Sequence, residues 1–291
     1  MNSQNILERN DAAIEKWNNP PKLSPQMNWV DRLKLWHDTK RFFFVRELER
    51  LQADMDKSSL NVLDFGSGHG GVTIDVATVM GSRIRMHGYD VSPKAVEIAH
   101  RAAECHQASV SFIADPSCDM EAVLREIPLD AIISCDVFGH VPSVPETFRT
   151  LRKLLPPGGR LIAFSETVTG QALTIPTYLA RKGFRMDDSE EEHISLHSVH
   201  ELKEFLEQSG FVKVRLYPYD PIRFPFYPKR YTAKLRQINK PLYLLASVLT
   251  IFQNRLTEVI FNQINLWLAK RVKLHDTAGC LLVAEVPQSG R

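Results

Sequence analysis

The stretch Val62-Leu-Asp-Phe-Gly-Ser-Gly-His-Gly-Gly71 constrains this chain more than any other. A short apolar run enters a cluster of glycines, and a helical pattern follows. Glycine lets the backbone turn tightly and approach a ligand closely, and the start of the helix behind it presents unpaired N–H donors. Strand, glycine turn and helix in that order open a parallel α/β sheet. The rest of the chain keeps the alternation. Short apolar runs predict strands over 61–65, 83–89, 109–114, 131–135, 160–164, 212–217 and 280–286. Helical patterns near 71–80, 92–106, 118–126, 144–155 and 198–208 lie between the first six. The expected fold class is α/β, a doubly wound Rossmann-like sheet with helices on both faces.

The glycine loop alone does not choose a ligand. Gly66, Gly68 and Gly71 satisfy G-x-G-x-x-G, which serves dinucleotides as well as other adenosine ligands, and which also occurs as a bare tight turn. Asp90 closes the second strand, where a carboxylate can accept both ribose hydroxyls. It can equally cap the next helix, although Ser92 is there to do so. Three features choose. Asp64 stands two residues before Gly66, and a carboxylate there suits a cationic amino-acid tail and repels a pyrophosphate. Asp115 follows the third strand, placed to take an adenine amino hydrogen. Leu154-Leu-Pro-Pro-Gly-Gly159 turns sharply into the fifth strand.

At these residues the sequence resembles class I S-adenosylmethionine-dependent methyltransferases, over about 58–218 and the strand 280–286. The resemblance implies a seven-stranded sheet whose last strand is antiparallel, and S-adenosylmethionine as the cofactor. It implies that Asp64, Gly66, Ser67 and Gly68 line the methionine end. Asp90 and Val91 would hold the ribose and adenine, Asp115 the adenine amine, and Cys135 would contribute backbone at the fourth strand.

Such a cofactor carries the difficult chemistry in its sulfonium methyl group. The protein has to hold an acceptor in line and, for a hydroxyl, supply a base. His140 after the fourth strand and Glu166 at the end of the fifth are the base candidates, each with an ordinary structural alternative as a capping histidine or a solvated acid. His193 and His197 are expected on a loop over the acceptor. Asp136 and His140 resemble part of the acid-x-x-acid-His metal stretch of quinone-biosynthesis O-methyltransferases. Gly139 replaces the second acid, leaving two ligands of three, so no metal is expected there. Ser198-Val-His-Glu201 reads as a capping box that separates His197 from His200, so a zinc site over His193, His197 and His200 is not expected either.

Nucleic acid is not the expected acceptor. Ser134-Cys-Asp-Val-Phe138 replaces the N/D-P-P-aromatic motif of amino-methylating DNA enzymes, and the Pro-Cys nucleophile of cytosine C5 enzymes is missing. The expected activity is methyl transfer to an oxygen of a small-molecule or lipid-like acceptor. Two alternatives stand beside it. One is a methyltransferase-like binding protein without turnover. The other is an NAD-dependent oxidoreductase, which leaves Asp64 unexplained.

Composition enters through charge. The chain of 291 residues has a net charge of +2, yet 221–275 carries ten Lys or Arg and one acid, Glu258. That segment is +9, so the remainder is 2 − 9 = −7. Within it, 241–273 reads as one long amphipathic helix or two stacked ones. It can act as a lid over the acceptor, a face for an anionic membrane and a lipid-linked substrate, or a dimer face. The organisation expected is an N-terminal helical arm or lid over 1–57, with a helix over 31–51. The cofactor domain follows at 58–220, the basic helical insertion at 221–275, and the final strand with a tail at 276–291. Cys105, Cys118, Cys135 and Cys280 form no CxxC pair, so a zinc ribbon or redox motif is not expected. The N-terminal stretch lacks an apolar leader and no apolar run reaches the length of a spanning helix, so the cytoplasm, with peripheral membrane contact, is the expected location.

Overall fold

The computed structural model describes residues 4–8, 18–168, 179, 182, 193–219, 235–251, 255–271 and 279–288. Its centre is a seven-stranded sheet: β1 (Leu60–Phe65), β2 (Ile84–Asp90), β3 (Val110–Ala114), β4 (Ala131–Cys135), β5 (Arg160–Glu166), β6 (Val212–Pro218) and β7 (Gly279–Glu285). The spatial order is β3-β2-β1-β4-β5-β7-β6. The first five strands pair in parallel, and β7 runs antiparallel between β5 and β6. The chain reverses direction of travel across the sheet between β1 and β4, and an open α/β sheet places its ligands at such a switch point.

The central strands are buried on both faces, which is why they read as continuous apolar runs. Along β1, β4, β5 and β7 the side chains alternate. Leu63, Ile132, Leu161 and Leu282 join one core layer, and Val62, Ile133, Ile162 and Val283 the other. Helices α6 (Val144–Leu154) and α7 (Val199–Gln208) cover the first layer through Phe148, Leu151, Leu202 and Leu206. Helices α2 (Thr39–Asp54) and α3 (Gly71–Met80) cover the second, with Phe43, Phe44 and Leu48 of α2 all but sealed from solvent. Each such phenylalanine stabilises the fold by about 1.5–3 kcal/mol over an exposed position. Helices α1 (Trp29–His37), α4 (Pro93–Cys105) and α5 (Met120–Leu124) also precede β4.

The helix expected over 31–51 is two helices. Asp38 takes an extended conformation (φ −86°, ψ 94°), ends α1 and caps α2, its carboxylate accepting from the Arg41 N–H at 3.1 Å. The capping box at Ser198 forms as expected, with the Ser198 N–H donating to Glu201 at 2.8 Å. The amphipathic stretch forms two helices, α8 (Lys240–Ile251) and α9 (Arg255–Ala269). Among the described residues no helix is long and apolar enough to cross a membrane.

Candidate functional site

The loop after β1 is tied to β2. The N–H groups of Gly66 and Ser67 both donate to the Tyr89 carbonyl, at 2.8 and 2.9 Å. Gly66 sits at φ +74°, and a Cβ there would overlap the Val137 side chain. Gly68, at φ +51°, has the opposite surroundings, since a Cβ there would meet nothing within 4 Å. A closed-packed turn thus leads into an open cradle. The Gly68 N–H donates to Asp90 Oδ2 at 2.9 Å, and the Ser92 N–H donates to Oδ1 at 2.9 Å. Asp90 therefore joins the loop to the start of α4, while Ser92 caps that helix.

Asp64 lies below the loop, 2% exposed, and accepts from Thr73 Oγ1 at 2.7 Å. Burial pushes its carboxyl up to about 7 against that hydrogen bond. A buried acid at this height is ready to ionise opposite a cation. Ser67 Oγ is buried with no hydrogen-bond partner among the described residues. Native structures leave few such groups, and a ligand is one way to satisfy them. The donor set around the loop therefore fits a nucleoside with a cationic amino-acid tail. Val91, half-buried, packs against the core beside Asp90. Asp115 is buried and accepts from Tyr89 Oη at 2.8 Å, from the Ser117 N–H at 3.0 Å and from Ser117 Oγ. Much of its capacity thus goes to holding its own turn. Cys135 ends β4 with its Sγ 3.2 Å from Asp136 Oδ2, and burial, then Asp136, push the thiol well up.

The N-terminal segment crosses this loop. The Lys22 and Leu23 N–H groups donate to the Asp75 carboxylate at 2.9–3.0 Å, and Arg41 Nε donates to the same group at 2.6 Å. A Cβ on Gly71 would overlap the Asn19 carbonyl, so glycine at the start of α3 lets the segment lie down on it. Lys40 of α2 reaches the sheet edge beside Cys135, donating to both Asp136 oxygens at 2.6 and 2.9 Å. Asp136 itself is held at φ +61°. Sequence reasoning missed Lys40, Arg41 and Asp75. They sit in helices whose local patterns carry no motif, and only the fold brings them together.

At the carboxyl ends of β4 and β5 the structure gathers His140, Glu166 and His193. His140 follows β4, Glu166 ends β5, and His193 comes from the segment before α7. His193 Nε2 lies against Glu166 Oε2. The rings of His140 and His193 stack, with centroids 4.7 Å apart at 27°. The Ile194 and Ser195 N–H groups donate to the Gly139 carbonyl at 2.8 and 3.1 Å, which fastens this segment to the turn after β4. His197 turns elsewhere, its Nδ1 3.9 Å from Glu201 and its ring edge-on to Phe205. His200 is exposed on α7.

Comparisons with known proteins bear on the family and the fold. The family model described as a methyltransferase domain matches residues 35–216. Phosphoethanolamine N-methyltransferase 2 of Caenorhabditis elegans is 25% identical over 162 residues, covering 55% of this chain and 34% of that protein. The hybrid PKS-NRPS synthetase apdA of Emericella nidulans is 31% identical over 110 residues, 37% of this chain and 3% of that one. The chain thus spans about a third of one of these curated relatives and a few per cent of the other. Among solved structures, the plantazolicin methyltransferase BamL, in complex with a triazolic desmethylPZN analogue and SAH, superposes with a TM-score of 0.52 at 14% identity over 99% of this chain and 97% of that one. The [4+2]-cyclase SpnF gives 0.53 at 15% identity over the same shares. At these identities the structures show a shared fold.

Proposed function

The chain belongs to the methyltransferase-domain family, and from that premise we propose that it methylates an oxygen of a small-molecule or lipid-like acceptor with S-adenosylmethionine as donor. When bound, the donor supplies an electrophilic sulfonium methyl group. Asp64, with its raised carboxyl, meets the ammonium of the methionine tail. The open backbone at Gly68 and the Ser67 hydroxyl receive that tail, and Asp90 takes the ribose. Val91, Asp115 and the Cys135 backbone bound the adenine.

The convergence of His140, Glu166 and His193 at the carboxyl ends of β4 and β5 carries the choice of oxygen. A hydroxyl must lose a proton as the O–CH3 bond forms and the S–CH3 bond breaks. An imidazole takes that proton, and Glu166 orients the ring of His193 and stabilises its cation. General-base assistance of this kind contributes about 10²–10⁴-fold. The test is incubation with methyl-labelled donor and an extract of hydroxylated metabolites, followed by mass analysis for products heavier by one CH2. Labelled ethers or esters, lost on His193→Ala, support the reading. Label found on nitrogen or carbon, or on nothing, overturns it.

We also propose that the insertion over 221–275 meets an anionic membrane that presents the acceptor. The support is one exposed apolar stripe on α9, formed by Leu256, Ile260, Ile264 and Trp267. Trp29 and Trp36 are exposed on α1, which packs against α9 through Gln263 Nε2 donating to the Trp36 carbonyl at 3.0 Å. Arg271 stacks on Trp267 at 4.1 Å. Exposed tryptophans beside basic residues are suited to a headgroup interface.

A further inference from the structure

We propose that His140, Glu166 and His193 form a binding site for one divalent transition-metal ion. Each offers one ligand atom, and the three atoms lie within 4.8 Å of one another. Metal bonds of about 2.0–2.2 Å to nitrogen and oxygen need ligand atoms roughly 3–3.5 Å apart. His193 Nε2 and Glu166 Oε2 lie closer together than that, so the trio would spread around the ion on binding it.

The backbone is shaped for this arrangement. Gly139 precedes His140, and a Cβ at 139 would stand 2.5 Å from Cδ2 of His193. Only glycine lets the second imidazole come in beside the first. The two hydrogen bonds onto the Gly139 carbonyl then hold the His193 segment in place. The other acid of the turn, Asp136, is engaged by Lys40 and does not compete for the ligand role. Counting ligands along the stretch 136–140 therefore undercounts them, because the second and third ligands, Glu166 and His193, arrive from β5 and from the segment before α7.

The chemistry favours a cation over a bare base pair. A base pair needs one histidine and one carboxylate. A second imidazole stacked on the first adds a ligand atom that such a pair does not use. Two neutral imidazoles and a carboxylate together satisfy a dication, and a nitrogen-rich set prefers Zn2+ or Fe2+ over Mg2+ or Ca2+. Three protein ligands leave positions open for substrate. Resting on the oxygen-methylation reading, the site would take an acceptor with two adjacent oxygens, both on the metal; with the imidazoles engaged as ligands, the metal instead of a histidine would acidify the hydroxyl, which would release its proton to solvent water before methylation.

The experiment uses the full chain, stripped with a chelator and titrated with Zn2+ alone by calorimetry, with Co2+ absorbance as a second readout. One ion per chain is expected. His140→Ala and Glu166→Gln should weaken binding by about 100-fold or more, and Gly139→Ala, which displaces His193, by about 10-fold. S-adenosylhomocysteine affinity should stay within about twofold in all three, which reports an intact fold. A wild-type chain that binds S-adenosylhomocysteine but no stoichiometric metal overturns the proposal. So does metal binding that survives both ligand substitutions. Stoichiometric, substitution-sensitive metal binding in a chain that methylates no hydroxyl supports the site and removes the oxygen reading instead.

Discussion

Lys40 Nζ lies 2.6 Å from Asp136 Oδ2 and 3.6 Å from the centre of the Phe164 ring, so a helix preceding the first strand reaches the carboxyl edge of the sheet. Burial disfavours the ammonium, yet Asp136 holds its pKa above the usual lysine value. The pair pins Asp136 in its left-handed conformation, and the turn to His140 starts there. Lys40→Met should therefore lower methyl transfer by about 10-fold or more. Both partners are partly exposed, so the stability loss should stay within about 1 kcal/mol. Turnover measured beside a urea melt checks the split, and equal losses in both would show a purely structural role.

Asp64 makes the apo protein sensitive to pH. Its carboxyl is raised from 3.8 to about 7 by burial, so between those values the folded state binds the proton more tightly than the unfolded chain. Stability from this group is complete below 3.8 and is lost as pH rises through about 7. The loss is at most about 4 kcal/mol, at roughly 1.4 kcal/mol per pH unit. Asp64→Asn should remove this dependence, and melting curves of both proteins from pH 5 to 8 will show it. A ligand cation reverses the preference, so S-adenosylhomocysteine should bind wild type more tightly at pH 8 than at pH 6.

The Asp75 carboxylate joins the N-terminal segment, α2 and α3 in a buried cluster. Asp75→Ala would leave Arg41, 3% exposed, without the partner of its Nε, and should cost about 3–5 kcal/mol. The same change should speed proteolysis of the segment around 18–23, because its two backbone anchors are lost. A denaturant melt together with limited proteolysis tests both halves.

The exposed stripe on α9 predicts salt-sensitive binding to vesicles containing phosphatidylserine. Ile260→Glu with Trp267→Glu should lower vesicle co-sedimentation by about 10-fold or more. At exposed positions the change in stability should remain near 0.5 kcal/mol. Equal recovery of wild type in the supernatant with and without vesicles at low salt would end the membrane proposal.

The strands and the loop over 62–71 were legible because a sheet buried on both faces leaves unbroken apolar runs, and because glycine is what a tight turn demands. The break at Asp38 was not. Its neighbours keep the helical period, and only the competition between the Asp38 side chain and the helix backbone ends α1 there. His140, Glu166 and His193 could be named singly, since each follows or ends an element at the carboxyl edge. Their meeting could not be read. It depends on the small size of residue 139 and on two backbone hydrogen bonds formed by residues 194 and 195. The role of Lys40 was hidden for a similar reason, since one lysine in a helix looks like any solvated charge.

The clasp at Asp75 grips main-chain N–H groups, not side chains. Position 22 is thus exempt from most selection on residue type as far as this anchorage goes, whereas Leu23 is also held by its own burial, at 2% exposure. Nearly any amino acid at position 22 preserves the anchorage, and proline, which has no hydrogen to donate, is the replacement that would unfasten it. Descendants of this sequence can rewrite the strap over the nucleoside crevice while keeping its buckle.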